Sequence, residues 1–285
     1  MYDKELRMPV SWTDLQKKRL QDLQVSEEQV GLLFSSEQER DQAFKKQETL
    51  LKGKAKDRLN NFLEHTRRPG LCRLETILVE TLTQAGFAQV TTPIILAKNM
   101  LAKMTIDDDH ALYSQVFWLD DKRCLRPMLA PNLYYILKDL LRLWKKPVRI
   151  FEIGSCFRKE SQSSNHLSEF TMLNLVEWGL PEGDRQERLE EMAKLVMHAA
   201  AIEGYHLEQE SSVVYGDTTD IVLGDLELGS GAMGPHVLDG NWGMTGAWVG
   251  IGFGLERLTM VREGSRNVSS VGKGLSYLDG VRLNI

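Results

Sequence analysis

Cys156-Phe157-Arg158-Lys159-Glu160-Ser161, a short loop, and then His166-Leu167-Ser168-Glu169-Phe170-Thr171-Met172-Leu173-Asn174 decide the fold. Val148-Arg149-Ile150-Phe151-Glu152-Ile153 ahead of them is rich in β-branched and aromatic residues, which predicts a strand. Phe170 to Val176 predicts a second strand, and the Ser/Gln/Asn-rich residues between make the pair a hairpin. Arg158 and Glu160 are two apart and so share a face. Such a pair can grip a ligand that carries both an anion and a donor, for example phosphate beside an adenine amino group. It is also an ordinary pattern on a solvated surface. Gly250-Ile251-Gly252-Phe253-Gly254-Leu255-Glu256-Arg257 adds specificity. Trp248 to Gly252 predicts a strand and Leu255 onward a helix. Alternate glycines bare one backbone face to a flat ring, with Arg257 leaving the helix beside it.

The 285 residues suffice for one large or two small domains. No apolar run approaches the ~18 residues of a membrane span, and Met1-Tyr2-Asp3-Lys4-Glu5 is no apolar signal segment. Cys72, Cys124 and Cys156 are odd in number and widely spaced, which argues against a disulfide framework or zinc site and for the reducing cytosol. The net charge of −5 leaves nucleic-acid binding to local clusters. Lys52, Lys54, Lys56, Arg58, Arg67 and Arg68 form one cluster, and Arg142, Lys145, Lys146 and Arg149 another; each also fits a solvated helix face.

Ser11 and Asp14 fit a capping box opening a short helix through Leu15, Leu20 and Leu23. Ser35-Ser36 caps a second helical stretch to about Arg67, with a thin stripe of Phe44, Leu51, Leu59 and Phe62. Residues 1–67 thus form a helical arm that lies on RNA or a partner, or is a plain surface hairpin; residues 68–285 form the main domain. There Leu71, Leu74, Leu78, Leu82 and Ala85 recur at helical spacing and Gly86 ends the helix. Phe87–Ile95 is expected as a strand broken at Pro93, Phe117–Leu119 as a strand, 132–144 as a helix and 185–202 as another. Three strands are expected at 211–215, 219–223 and 226–233, and the tail from Leu275 as a turn and a short strand. On the second hairpin strand, Phe170, Met172, Asn174, Val176 and Trp178 share a face, one amide among apolar neighbours. An unpaired buried amide costs about 1–3 kcal/mol, so either the protein or a ligand satisfies it.

Phe-Arg-x-Glu, loop, His-x-x-x-Phe resembles motif 2 of class II aminoacyl-tRNA synthetases. Gly-x-Gly-x-Gly-x-Glu-Arg resembles motif 3, and Gly86-Phe87 with Thr92-Pro93 the looser motif 1. Leu125 to Tyr134, Glu169 to Asn174 and Val214-Tyr215-Gly216-Asp217 are similar to the pyrrolysyl-tRNA synthetase family, over a stretch from about Pro69 to the C-terminus. The resemblance implies an α+β fold, a mixed and mainly antiparallel sheet flanked by helices. It implies ATP-dependent activation of pyrrolysine and transfer to the 3′ end of its tRNA, a cytoplasmic homodimer, and, in the bacterial form, a separate tRNA-binding N-domain protein. Arg158 would hold the α-phosphate and Glu160 the adenine amino group. Phe170 and Arg257 would sandwich adenine, with His166 near the outer phosphates and Leu167, Leu228 and Gly252 also in the ATP site. Arg158 and Arg257 would be the catalytic pair. The implied amino-acid pocket is walled by Met128, Leu129, Ala130, Leu133, Tyr134, Leu137, Val176, Ala232, Trp248 and Gly250. Asn174 would meet the substrate's side-chain amide and Tyr215 would cap it. The general class II pattern has an acid where Asn174 stands. Glu227 and Ser230 match the Mg²⁺ ligands, yet a regular strand puts them on opposite faces, so a bulge at Gly229 is expected. Two other readings stay open: a synthetase for another large amino acid such as phenylalanine, which Asn174 opposes, and a non-catalytic paralogue, which the presence of both arginines opposes.

Overall fold

The computed structural model describes residues 8–159 and 167–285. Glu160 and His166, two of the expected ATP contacts, lie outside the described residues. The chain divides into two units: the part up to Pro69 together with Gly274–Ile285, and Gly70–Lys273.

In the larger unit, helix α3 (Gly70–Gln84) ends where Gly86 takes a φ of +85°. Helices α1 and α2 belong to the smaller unit. The main sheet contains β1 (Ala88–Gln89), β2 (Val148–Phe157), β3 (Glu169–Trp178), β4 (His206–Ser212), β5 (Gly216–Leu223), β6 (Leu226–Gly234) and β7 (Trp248–Gly254). Its seven strands run in the order β1-β2-β3-β7-β6-β5-β4; only the β1–β2 pair is parallel. The expected hairpin is β2–β3, paired from Val148↔Trp178 to Phe157↔Glu169. The period-2 pattern sorts its faces. Leu173 and Leu175 pack on Leu74, Leu78 and Leu82 of α3 and on Met192 and Val196 of α5 (Arg185–Ala199). Val176 and Trp178, on the opposite face, join Leu133, Tyr134 and Leu137 of α4 (Ala130–Leu143). Helix α6 (Leu255–Arg262) follows β7 as the sequence predicts.

Several expected boundaries move. Helix α4 starts at Ala130, because Pro131 needs no N–H in a first turn. Phe87–Ile95 is not one strand: Ala88–Gln89 pairs with Ile150–Phe151, while Ile95–Ala97 pairs with Arg123–Leu125 in a separate small sheet. The Thr92 N–H between them bonds Glu152 Oε1 at 3.0 Å, and Pro93 has no N–H to offer a ladder. Phe117–Leu119 contributes only a Trp118–Cys124 bridge. The first of the three late strands is His206–Ser212, and Val213–Tyr215 is the turn after it. That strand is polar and mostly exposed, so it carries no alternation to read. The bulge in β6 is present, but the extra residue is Leu228: Glu227 pairs with Val222 and Gly229 with Ile221.

The smaller unit has a core of its own. Helix α1 (Asp14–Asp22) is capped by Thr13 with Gln16, two residues beyond the expected Ser11–Asp14 box. Helix α2 (Glu37–Asn61) is capped by Ser36. Trp12, Leu20, Phe34 and Leu51 pack together with Phe44 and Ile285. The tail, expected with residues 68–285, forms a hairpin (Tyr277–Leu278, Val281–Arg282) within this unit.

Within the larger unit, Arg126 and Glu152 form a buried ion pair at 2.8 Å, their side chains 3% and 2% exposed. Losing one partner leaves a stranded charge. Arg126→Met is therefore expected to cost about 3–5 kcal/mol in urea unfolding, and adding Glu152→Gln should recover part of it. Simple additivity of the two losses would show that the pair does not act as a unit.

Candidate active site

The sheet face opposite α3 and α5 carries two adjoining cavities. The inner one lies between α4, β3, β6 and β7. It is lined by Ala130, Leu133, Tyr134 and Leu137, by Asn174 and Val176, by Ala232, Trp248 and Gly250, and by Tyr215 from the Val213–Tyr215 turn. Its volume is ≈ 50 Å³. Leu133, Tyr134 and Leu137 converge because they recur at helical spacing on α4. Asn174 and Val176 converge because they alternate on β3. Leu129, expected in this wall, lines neither cavity; at the N-cap of α4 it is wholly buried in the protein instead. Met128 lines the outer cavity.

The pocket rings are braced from behind by a residue the sequence did not reveal. Asp239, 3% exposed, accepts Tyr134 Oη and Trp248 Nε1, each at 2.9 Å, and the His236 N–H at 2.7 Å. Tyr134 also stacks on Trp242 (5.4 Å between centroids), and Trp178 on Trp248 (5.6 Å). Burial pushes the Tyr134 phenol far above its ordinary value, with the neighbouring Tyr215 and the Asp239 charge adding to the shift. Burial and Asp239 do the same to Tyr215. Both phenols remain neutral. Among the described residues Asn174's side chain makes no hydrogen bond, though it lines both cavities.

The outer cleft, ≈ 480 Å³, gathers Arg158, Leu167, Phe170, Glu227, Leu228, Ser230, Gly252 and Arg257. Arg158 Nε donates to Pro127 O at 3.0 Å, and its guanidinium lies 5.3 Å from the Phe170 ring centre. Arg257 Nη1 donates to Glu227 O at 2.8 Å and approaches Glu227 Oε2 at 3.3 Å. The bulge at Leu228 lets Glu227 and Ser230 line the same cleft. Ser230 Oγ donates to Asp220 Oδ1 at 2.5 Å; Asp220, also in the cleft, was not anticipated. Two carboxylates and a hydroxyl are hard oxygen donors, which suit Mg²⁺. Among the described residues no group of three or more His, Cys, Asp or Glu forms a metal cage, so a cation here would share its coordination with phosphates and water. Gly250 and Gly252 bare the β7 backbone: a Cβ at Gly252 would stand 3.2 Å from Met172.

Comparisons with known proteins bear on the fold and the family. Residues 62–241 match the family model of the phenylalanyl tRNA synthetase beta chain CLM domain. The crystal structure of pyrrolysyl-tRNA synthetase from Desulfitobacterium hafniense is 57% identical, with a TM-score of 0.92 over 96% of this chain and 99% of that one. A second structure of a pyrrolysyl tRNA synthetase from the same organism is 56% identical, with a TM-score of 0.91 over 96% and 98%. A threonine–tRNA ligase of Wolbachia sp. subsp. Brugia malayi (strain TRS) is 31% identical over 98 residues, which cover 33% of this chain and 15% of that ligase.

Glu256 ties the start of α6 to β3, both carboxylate oxygens lying 2.9 Å from the Thr171 N–H. Burial pushes its carboxyl above the ordinary value, partly offset by the Thr171 N–H. A raised folded-state value makes the native state the stronger proton binder. Stability from this group is full below the unfolded value and is lost as pH rises through the folded one. Glu256→Gln should therefore gain stability relative to wild type between pH 4 and pH 8 in urea unfolding. A pH-independent difference would contradict the assignment.

Proposed function

The chain belongs to the pyrrolysyl-tRNA synthetase family of class II aminoacyl-tRNA synthetases, and from that membership we propose that it activates a bulky Nε-acyl-lysine such as pyrrolysine with ATP and transfers it to the 3′ end of its cognate tRNA. The observation that carries the proposal is Asn174, an amide without a protein partner among the described residues, set in an aromatic pocket that opens on a cleft bearing two arginines. The substrate carboxylate attacks the α-phosphorus of ATP and displaces pyrophosphate, giving an aminoacyl-adenylate, so no protein nucleophile is required. The protein aligns the reactants and neutralises charge. Arg158 holds the α-phosphate. Phe170 and Arg257 sandwich adenine over the bare backbone at Gly252, with Leu167 and Leu228 as walls. Arg257, a planar cation, suits both the stacking and the Glu227 contact. Glu227 and Ser230 hold Mg²⁺, with Asp220 orienting the Ser230 hydroxyl. When bound, the cation neutralises phosphate oxygens. The activated acyl group then passes to the 3′-hydroxyl of the terminal ribose.

The side chain of the amino acid enters the inner pocket and its amide carbonyl meets Asn174. With Tyr215 in place the pocket has room for about two waters, so the phenol must turn aside to admit a substrate and then cap it. Free lysine would bury an ammonium there, and Asp239 cannot compensate it because its oxygens already serve Tyr134, Trp248 and His236. Phenylalanine would leave the Asn174 amide unpaired, at about 1–3 kcal/mol.

The same reading makes the enzyme a cytosolic homodimer, joined through α3 and the segment around Pro93, where Ile94 and Ile95 are exposed. Either a separate N-domain protein or the smaller unit supplies the further contact with tRNA. Lys52, Arg142 and Arg149 pair with Glu48, Asp139 and Glu177, which makes Lys54, Lys56 and Lys145 the better candidates for phosphate contacts.

ATP–pyrophosphate exchange tests the activation step. Exchange is expected with an Nε-acyl-lysine and not with lysine or phenylalanine. Arg158→Ala should slow it by roughly 10²–10³-fold, and Asn174→Ala should raise KM for the acyl-lysine by roughly tenfold or more. Folded protein that exchanges with no amino acid would favour the non-catalytic paralogue. Chelation of Mg²⁺ should abolish exchange, and Glu227→Gln should raise the Mg²⁺ concentration required; an unchanged requirement would remove Glu227 from the metal site.

A further inference from the structure

Tyr215 stands at the end of the Val213–Tyr215 turn, between β4 and β5. Two histidines from distant parts of the chain hold that turn in the same way. His110 Nδ1 accepts the Leu112 N–H at 3.1 Å, and its Nε2 lies 3.0 Å from Val213 O. His236 Nδ1 accepts the Leu238 N–H at 3.1 Å, and its Nε2 lies 3.0 Å from Tyr215 O. A ring nitrogen that accepts from an N–H carries no proton. Both rings are therefore neutral Nε2–H tautomers, and each donates to a carbonyl of the turn. The Tyr215 N–H is held separately by Ser212 Oγ at 2.9 Å.

His236 does more than touch the turn. It caps the short helix Val237–Trp242, whose Asp239 braces Tyr134 and Trp248. One capped turn thus fixes the rings of the pocket wall and the backbone of the residue over its mouth. Both bonds to the turn end on main-chain oxygens, so the Tyr215 phenol can rotate while its anchor stays in place.

We propose that His236 and His110 are positioning residues that pin the backbone of the Tyr215 turn at the mouth of the amino-acid pocket, so that retention of the acyl-lysine depends on them more than the handling of ATP does. This rests on the pocket being the acyl-lysine site, as proposed above. The cost of leaving the turn unpinned falls on amino-acid binding, because the phenol must then be ordered when the substrate arrives.

Two substitutions separate the histidine's two bonds. His236→Asn keeps an acceptor at the Nδ1 position for the Leu238 N–H but cannot reach Tyr215 O. His236→Gln keeps a donor near the Nε2 position and gives up the cap. Amide hydrogen exchange across residues 213–217, measured without any substrate, should speed up in the Asn variant and stay near wild type in the Gln variant. In ATP–pyrophosphate exchange the Asn variant should raise KM for the acyl-lysine by roughly two- to tenfold, the worth of one net hydrogen bond. KM for ATP, whose cleft the turn also lines, should rise less, and the Gln variant, which gives up the cap but keeps the bond to the turn, should bring the acyl-lysine KM part of the way back. His110→Asn should act in the same direction. Wild-type behaviour of His236→Asn in both measurements overturns the proposal. So does equal impairment of the Asn and Gln variants, which would show a structural cap only. A wild-type enzyme that fails to exchange with an acyl-lysine refutes the substrate reading, while the hydrogen-exchange arm still decides whether the histidines hold the turn.

Discussion

The ion pair of Arg126 with Glu152 is the constraint that sets the rest of the site. Burying two charges is costly, and the pair persists because further hydrogen bonds surround it. Arg126 Nε donates to Ser155 O at 2.8 Å and Nη1 to Thr92 Oγ1 at 2.8 Å. Thr92 Oγ1 in turn donates to Glu152 Oε2 at 2.7 Å, and Asn132 Nδ2 to Pro93 O at 2.9 Å. The network therefore joins the residues before the small sheet, strand β2 and the first turn of α4. Its main chain reaches further: the Phe157 N–H bonds Arg126 O at 2.9 Å, and the next carbonyl, Pro127 O, takes Arg158 Nε. A charge pair beneath the hairpin thereby determines where the Arg158 side chain begins. Gly154 belongs to the same arrangement, because a Cβ there would fall on the Arg126 guanidinium. Glu152 is also the cross-strand partner of Asn174. With Glu152 committed to Arg126 and Thr92, the Asn174 amide is left to the pocket.

What the sequence made legible was local and periodic. The hairpin, the Gly-x-Gly-x-Gly strand with its helix, α3 and α5 each carry their pattern within one window, and the structure has them with boundaries shifted by a few residues. The bulge was legible for another reason: two oxygen ligands three positions apart had to share a side of the strand. Its location was not, because packing chooses the extruded residue. Gly229 stays in register since its backbone lies against Phe253 and Gly252 O, where a Cβ would stand 2.6–2.8 Å away, and Leu228 is displaced into the core at 1% exposure. The smaller unit was underestimated because the thin stripe of α2 finds Trp12, Phe34 and Ile285 from outside its own helix. Phe117–Leu119 looked like a strand from its aromatic content, yet it pairs through a single bridge of Trp118 with Cys124, flanked by the Leu125 N–H on Phe117 O and the Leu119 N–H on Arg123 O, and Trp118 packs 4.8 Å from Tyr113.

Asp239 and the two histidines were beyond sequence reading. Asp239 follows Val237-Leu238 and precedes Gly240-Asn241, an acid in a turn by any local rule, and its meaning comes from partners 105 residues before it and nine after. His110 and His236 likewise sit in polar turns, and only the tertiary fold brings both to one stretch of backbone. Side chains whose job is to hold other side chains leave no period and no motif.

The site divides its electrostatics along the line of Ala130, Asn174, Tyr215, Ala232 and Gly252, the residues common to both cavities. On the outer side Arg158, Arg257, Glu227 and Asp220 line a cleft where charge is abundant and partly solvated. On the inner side, among the described residues, no ionised group lines the pocket: its polar side chains are one amide, two indoles and two phenols that burial keeps neutral. The nearby carboxylate, Asp239, is saturated by a phenol, an indole and a backbone N–H, so it stiffens the wall without offering a counter-charge. Such a lining favours a neutral side chain over a charged one, and Asn174 offers it an amide among the aromatic rings of Tyr134, Trp248 and Tyr215. The glycines at 250 and 252 leave the apolar and the charged side open to one another, because neither places a Cβ on the β7 backbone between them.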